Sequence, residues 1–204
     1  MGIFNRKATT DTASDFDAPT TLLDDIAGDY ALDITHTRFG FSVRHAMVTT
    51  VRGSFKEFEG TAHVDTATPA NSKVDITLKA ASIDTGNADR DGHLQTGDFF
   101  QADVFPNITF VSTKVEREDA DTWLVTGDLT IKDVTKPVTV ELEQTGSARD
   151  PFGNVRIGFE GGVTINRKDW GLTYNAALET GGVLLGEKVT ITLDIQAVLA
   201  TPAA

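Results

Sequence analysis

Cysteine is absent from the chain, and with it go disulfides, Cys-ligated zinc, iron–sulfur clusters and thiol nucleophiles. The absence is silent about compartment, because an oxidising environment permits disulfides without requiring them. Basic residues are outnumbered, 18 Lys+Arg against 30 Asp+Glu, for a net charge of −12. So acidic a chain lacks the cations that displace counterions from phosphate, which argues against sequence-independent binding to nucleic acid. It equally disfavours a stable seat on an anionic membrane, and leaves room only for a transient membrane contact. No apolar run approaches the ~18 residues that span a bilayer as a helix. Met1 to Lys7 is followed by Ala8-Thr9-Thr10-Asp11, without the ~7–15 apolar residues of a secretory signal. The expected location is cytoplasmic.

What is present is 204 residues, 40% of them hydrophobic, enough for one sizeable core. Residues 1–27 are rich in Thr, Asp and Ala without helical or strand period, and read as a flexible acidic tail. Thr9 and Thr10 follow Arg6-Lys7 and offer a phosphorylation reading beside the plainer one of a solvated tail. Residues 28–200 read as a single domain written in period two. Val74-Asp75-Ile76-Thr77-Leu78, Val138-Thr139-Val140-Glu141-Leu142 and Val189-Thr190-Ile191-Thr192-Leu193 alternate apolar with polar. Trp123 to Lys132 and Arg156 to Asn166 keep one apolar parity. Such segments are strands with one dry face, the mark of an antiparallel sheet. Further strands are expected at Tyr30–Ile34, Phe39–Arg44, Val51–Phe58, Thr61–Asp65 and Ile108–Val115, with turn signals at 68–71, 118–121 and 150–154.

About eight long strands with few helices predict an all-β, antiparallel up-and-down barrel, with a sandwich as the alternative. The interruption 87–106 is expected to hold a short helix and a loop covering one barrel end. Gly53, Gly127 and Gly161 fall on the apolar parity of their strands. Two readings stand: they empty the interior, or they mark bulges and tight coiling.

Catalytic signatures are wanting. No Gly-x-Ser-x-Gly elbow occurs, and His36, His45, His63 and His93 form no metal-ligand spacing. Asn87-Ala88-Asp89-Arg90-Asp91-Gly92 with Asp98 loosely matches a calcium loop, but a helix start with acidic residues at its positive end explains it as well. No metal and no cofactor are expected, and the chain is read as no enzyme.

The domain resembles the YceI-like family of polyisoprenoid-binding proteins with a lipocalin-like barrel. The likeness runs through Asp33-Ile34-Thr35-His36, Phe39-Gly40-Phe41-Ser42-Val43-Arg44-His45 and Val51-Arg52-Gly53-Ser54-Phe55. It continues in Ala81-Ser82-Ile83-Asp84-Thr85, Asp91-Gly92-His93-Leu94 with Asp98-Phe99-Phe100, and Pro106-Asn107-Ile108-Thr109-Phe110. Thr126-Gly127-Asp128-Leu129-Thr130-Ile131 and Arg167-Lys168-Asp169-Trp170-Gly171 complete it. The resemblance implies an antiparallel lipocalin-like barrel enclosing a long apolar pocket for an isoprenoid lipid, an isoprenoid quinone or a similar amphiphile, and a binding protein.

The family supplies no residue list, so ligand-binding candidates come from strand parity and the loop aromatics. The first strands give Phe41, Val43, Phe55, Ile76 and Leu78; the loop gives Phe99 and Phe100. Later strands give Phe110, Val125, Gly127, Leu129, Ile131, Val140 and Leu142, then Phe159, Val163 and Leu193, with Trp170 after a strand. Arg38, Arg52 and Arg167 are head-group candidates for an anionic or quinone head. The expected function is to carry or store such a lipid. The alternative is a non-catalytic structural or signalling module with a filled core, regulated through its Thr-rich tail. Exposed barrel edges leave a homodimer open.

Overall fold

The computed structural model describes residues 25–179 and 181–200. The Thr9–Thr10 reading, and the tail up to residue 24, lie outside the described residues. Within them the chain order is β1 (Gly28–Leu32), β2 (Arg38–His45), β3 (Thr49–Phe55), β4 (Phe58–Val64), β5 (Lys73–Lys79) and β6 (Ile83–Asp84). Then follow α1 (Ala88–Leu94), β7 (Asn107–Arg117), β8 (Thr122–Ile131), β9 (Val134–Arg149), β10 (Val155–Asn166) and β11 (Leu185–Leu199).

Every strand pairing is antiparallel, and β1-β4-β5-β7-β8-β9-β10-β11 closes on itself through β11 and β1. The expected barrel is therefore the observed one, an eight-strand ring with one short α-helix among the described residues. Closure removes the unpaired edges that an open sheet would expose. β11 carries two partners end to end: Leu193 faces Phe39 of β2, and Leu199 faces Tyr30 of β1. β1 and β2 are thus two halves of one interrupted strand along the same neighbour. β3 and β4 repeat the device, so the expected single strand Val51–Phe58 is broken. Its Lys56-Glu57 joint is held by Ser82, whose hydroxyl accepts from the Lys56 and Glu57 backbone N–H groups at 3.2 and 3.0 Å. Apolar parity cannot reveal that joint, because the hydroxyl fixing it is 25 residues further along from Glu57.

At the upper end the wall is β11-β2-β3-β6, and β6 pairs with β3 alone. The helix and the loop behind it stand where the ladder stops. Asn87 caps α1 by accepting from the Arg90 N–H at 3.0 Å, and Asp89 and Asp91 occupy its first turn, where the helix dipole favours anions. The expected helix and covering loop are both present.

The lower end is a packed plug of Tyr30, Val64, Val115, Trp123, Ile157 and neighbours. Burying residues the size of Tyr30 and Ile157, each under 2% or at 2% exposure, stabilises the plug by about 1.5–3 kcal/mol per side chain. Ile26, assigned to the tail by composition, belongs to this plug: it is 5% exposed, and its carbonyl accepts from the Tyr30 hydroxyl at 2.9 Å. One apolar residue in a polar segment carries no period, so composition alone cannot reveal its place in the core.

Candidate ligand-binding cavity

Inward side chains of the long strands do not meet across the upper barrel. They leave an apolar cavity of about 360 Å³, within the usual range for small-molecule sites. All but three of the parity and loop candidates line it: Phe41, Val43 and Phe55 from β2 and β3, then Ile76, Leu78 and Phe110 from β5 and β7. Val125, Leu129 and Ile131 rise along β8, Val140 and Leu142 descend β9, and Val163 and Leu193 close the wall. Phe99 and Phe100 reach it from the loop. Phe100 packs edge-on against Phe55, with ring centres 5.9 Å apart.

Three candidates stand elsewhere. Phe159 faces a second, lower cavity of about 80 Å³ and lies edge-on to Trp123 at 6.4 Å. It keeps the inward parity of β10 but sits low on the strand, two residues above Ile157 of the plug. Trp170 packs in a buried cluster with Leu129, Val138 and Leu172, and its indole N–H donates to the Leu129 carbonyl at 3.0 Å. Gly127 does not open the interior either. A Cβ there would collide with the Phe110 ring and, at 2.7 Å, with the Val111 carbonyl. Gly53 is likewise covered by the Phe41 ring, 2.5 Å from where a Cβ would sit, and Gly161 lies against the Glu141 carbonyl. The glycines therefore admit aromatic rings and close strand approach. The void does not come from these glycines, whose Cβ positions are already filled by neighbours.

Of the head-group candidates only Arg167 borders the cavity. Arg38 and Arg52 are exposed on the outer wall. Arg167 is 3% exposed and donates from Nε to the Gly186 carbonyl at 2.8 Å, and from its other nitrogens to the Leu172 and Leu185 carbonyls. No carboxylate bonds it among the described residues. Burial pushes its pKa down, opposed by the charge of Glu187. A guanidinium has five N–H donors, and three carbonyl partners leave spare donors beside an apolar space.

Strand parity missed the polar members of this end. Arg90, His93 and Tyr174 also line the cavity. His93, Phe99 and Tyr174 form an aromatic trio with ring centres 5.0–5.2 Å apart, and His93 Nε2 meets Asp98 at 2.8 Å. Arg90 donates to the Thr85 hydroxyl and carbonyl at 2.7 and 2.8 Å. They sit on α1 and on the connection after β10, where no period points inward; only their place in the covering segment could have flagged them. Three of the four calcium-loop side chains, Asn87, Asp91 and Asp98, are otherwise engaged. Asn87 caps the helix and Asp91 accepts from Thr85 N–H at 2.9 Å. Among the described residues no group of three or more His, Cys, Asp or Glu could hold a metal. His36 and His45 stand at opposite ends of the strand they flank; His36 meets Asp33 at 2.9 Å and His45 borders the cavity.

Comparison with known proteins agrees with this architecture. The model of the YceI-like domain matches residues 30–197. A UPF0312 protein of Photorhabdus laumondii is 41% identical over 147 residues, covering 71% of this chain and 76% of the relative. Protein YceI of Shigella flexneri is 40% identical over 149 residues, covering 72% and 78%. Among solved structures, BcnA of Burkholderia cenocepacia superposes with a TM-score of 0.70 at 25% identity, over 83% of this chain and 99% of that one. The YCEI protein of Campylobacter jejuni gives 0.68 at 31% identity, over 78% and 90%. A domain from Saccharophagus degradans described as polyisoprenoid-binding shares the fold at 15% identity, with a TM-score of 0.63 over 84% and 98%. The chain belongs to the YceI-like family.

Proposed function

We propose that this protein binds an isoprenoid or similar long-chain amphiphile inside its barrel and carries or stores it. The observation that supports this reading is the apolar cavity of about 360 Å³ in the upper barrel. An apolar void of that size forfeits packing, and such cavities bind apolar guests rather than water. The filled-core module has no comparable support.

Each methylene moved from water into the cavity gains about 0.8 kcal/mol. A tail drawn from a membrane is already in hydrocarbon, so its transfer is near balance, as a reversible carrier requires. Selectivity then falls to the head group. Arg167, buried and bonded to carbonyls, favours an anionic or strongly accepting head at the upper end.

Native mass spectrometry of the purified protein should reveal a co-purified lipid. Adding a prenyl lipid to delipidated protein at about 100 times Kd should raise Tm by roughly 5–10 °C. An empty protein whose Tm is indifferent to prenyl lipids would overturn the reading.

A further inference from the structure

The connection from β2 to β3 is built against its own backbone preference. Ala46 and Met47 both take positive φ, 50° and 60°. The Val48 N–H closes the turn on the His45 carbonyl at 3.1 Å. The loop Ala46-Met47-Val48 joins the paired His45 and Thr49, and a turn with positive φ at both central residues ordinarily uses Asn-Gly, which adopts it with little strain. Here the strained positions carry a methionine 66% exposed, followed by a valine 82% exposed. A soluble hairpin has no need of either.

The neighbouring connection adds to the patch. Ala46 N–H donates to the Leu184 carbonyl at 2.6 Å, and a Cβ on Gly182 would lie 4.0 Å from Met47 Cγ. This sets Val183, 42% exposed, beside the tip. His45, Leu184 and Leu185, adjoining these residues in the chain, line the cavity. The apolar tip is therefore the lip of the ligand chamber.

Glu179 on the second connection and Glu187 aside, its flanking charges run against the sign of the whole chain. Arg44 braces the turn, donating to the Met47 and Val48 carbonyls at 3.0 and 3.4 Å. The register Ser42↔Arg52 and Arg44↔Thr50 places Arg44 and Arg52 on one outer face, and Lys188 is exposed on the adjoining β11. None of the three is in an ion pair among the described residues, and nearby Glu187 is held by Lys168 at 2.5 Å.

We propose that this lip docks on a phospholipid bilayer, with Met47, Val48 and Val183 entering the interface and Arg44, Arg52 and Lys188 meeting lipid phosphates. Cations flanking an apolar tip match the phosphate layer above hydrocarbon, which a soluble protein partner does not present. The proposal extends the lipid-binding reading by stating where the passenger boards. The net charge of −12 keeps the contact brief and favours zwitterionic over anionic surfaces.

The test is flotation of the full chain with phosphatidylcholine vesicles. The native protein should float with them, and Met47→Asp/Val48→Asp should lower the partition coefficient by about a hundred-fold or more, as two lost apolar side chains imply. Phe152→Asp, at the opposite end on a side chain 88% exposed, should leave flotation unchanged. A native protein that stays in solution, a tip variant that floats like it, or equal loss from Phe152→Asp would overturn the proposal. So would a homodimer, seen by light scattering, that the tip substitutions dissociate. Lipid uptake from detergent micelles, which needs no bilayer, should survive in the tip variant. Failure of that uptake in the native protein would sink the cavity reading while leaving the flotation result to stand.

Discussion

A missing side chain is informative only once its neighbours are known. Gly127 pairs with Ser112, and the ring from nearby Phe110 fills the space where a Cβ would stand. Gly53 and Phe41 repeat the arrangement across β3 and β2. An aromatic covering a strand glycine pins register and contributes wall area. Gly127→Ala should therefore overpack the wall and cost about 1–3 kcal/mol in urea unfolding; a neutral or stabilising result would restore the idea of free space at that position. Reading along one strand showed the parity of these glycines. It could not show the rings, which come from the strand next door.

At the scale of elements, one ionic clamp ties the β1–β2 connection to the β9–β10 hairpin. Arg156 bonds Asp33 at 2.5 Å and Asp150 at 2.9 Å, and both carboxylates are 10% exposed. The Thr35 hydroxyl, then His36 and Arg156, hold Asp33 well below the usual carboxylate range despite burial. Asn154 first, then Arg156, does the same for Asp150. A pKa lowered by folding means that the unfolded chain binds more protons, so stability rises with pH across the titration. The clamp's contribution is complete above the unfolded value of about 4 and drains away as pH falls through the folded values. Asp33→Asn should lower Tm by about 3–6 °C at pH 7. The two melting curves should converge in strong acid; an offset independent of pH would remove the charge from the explanation.

Elements were also where sequence reading succeeded most. Alternation alone placed β5, β8, β10 and β11 to within a few residues of their observed bounds, because each has one dry face. It faltered where the alternation slips. β7 buries Ile108 at an even position and Val115 at an odd one, across a register shift between Ser112 and Lys114. β9 buries Val140, then Gln144 and Ser147, across the bulge at Thr145. A bulge exchanges inside for outside without changing composition, so no parity rule carries through it. The cavity's aliphatic walls were legible for the same reason, whereas Arg90, His93 and Tyr174 come from segments with no period to read.

Taken whole, the barrel holds two chambers, about 360 Å³ above and about 80 Å³ below. Val74, Ile76, Val125, Leu142 and Ile195 border both, so a single layer of aliphatic side chains divides them. Rotation of such side chains is the small motion that would let a long tail pass from one to the other. Leu142→Trp should seal the passage and shift extracted lipid toward shorter tails, with affinity for the longest falling about ten-fold for every two methylenes displaced. An unchanged distribution of chain lengths would confine the guest to the upper chamber.

The ring of hydrogen bonds is complete around the base, yet β6 ends the ladder at the top with α1 and its loop set against the gap. A cylinder sewn all the way round would have to tear backbone pairing to admit anything broad. Here the seam is held by aromatic rings, a few side-chain bonds and the Ala80 N–H bond to the Pro106 carbonyl at 2.9 Å, so widening it would cost far less backbone pairing than parting two long strands.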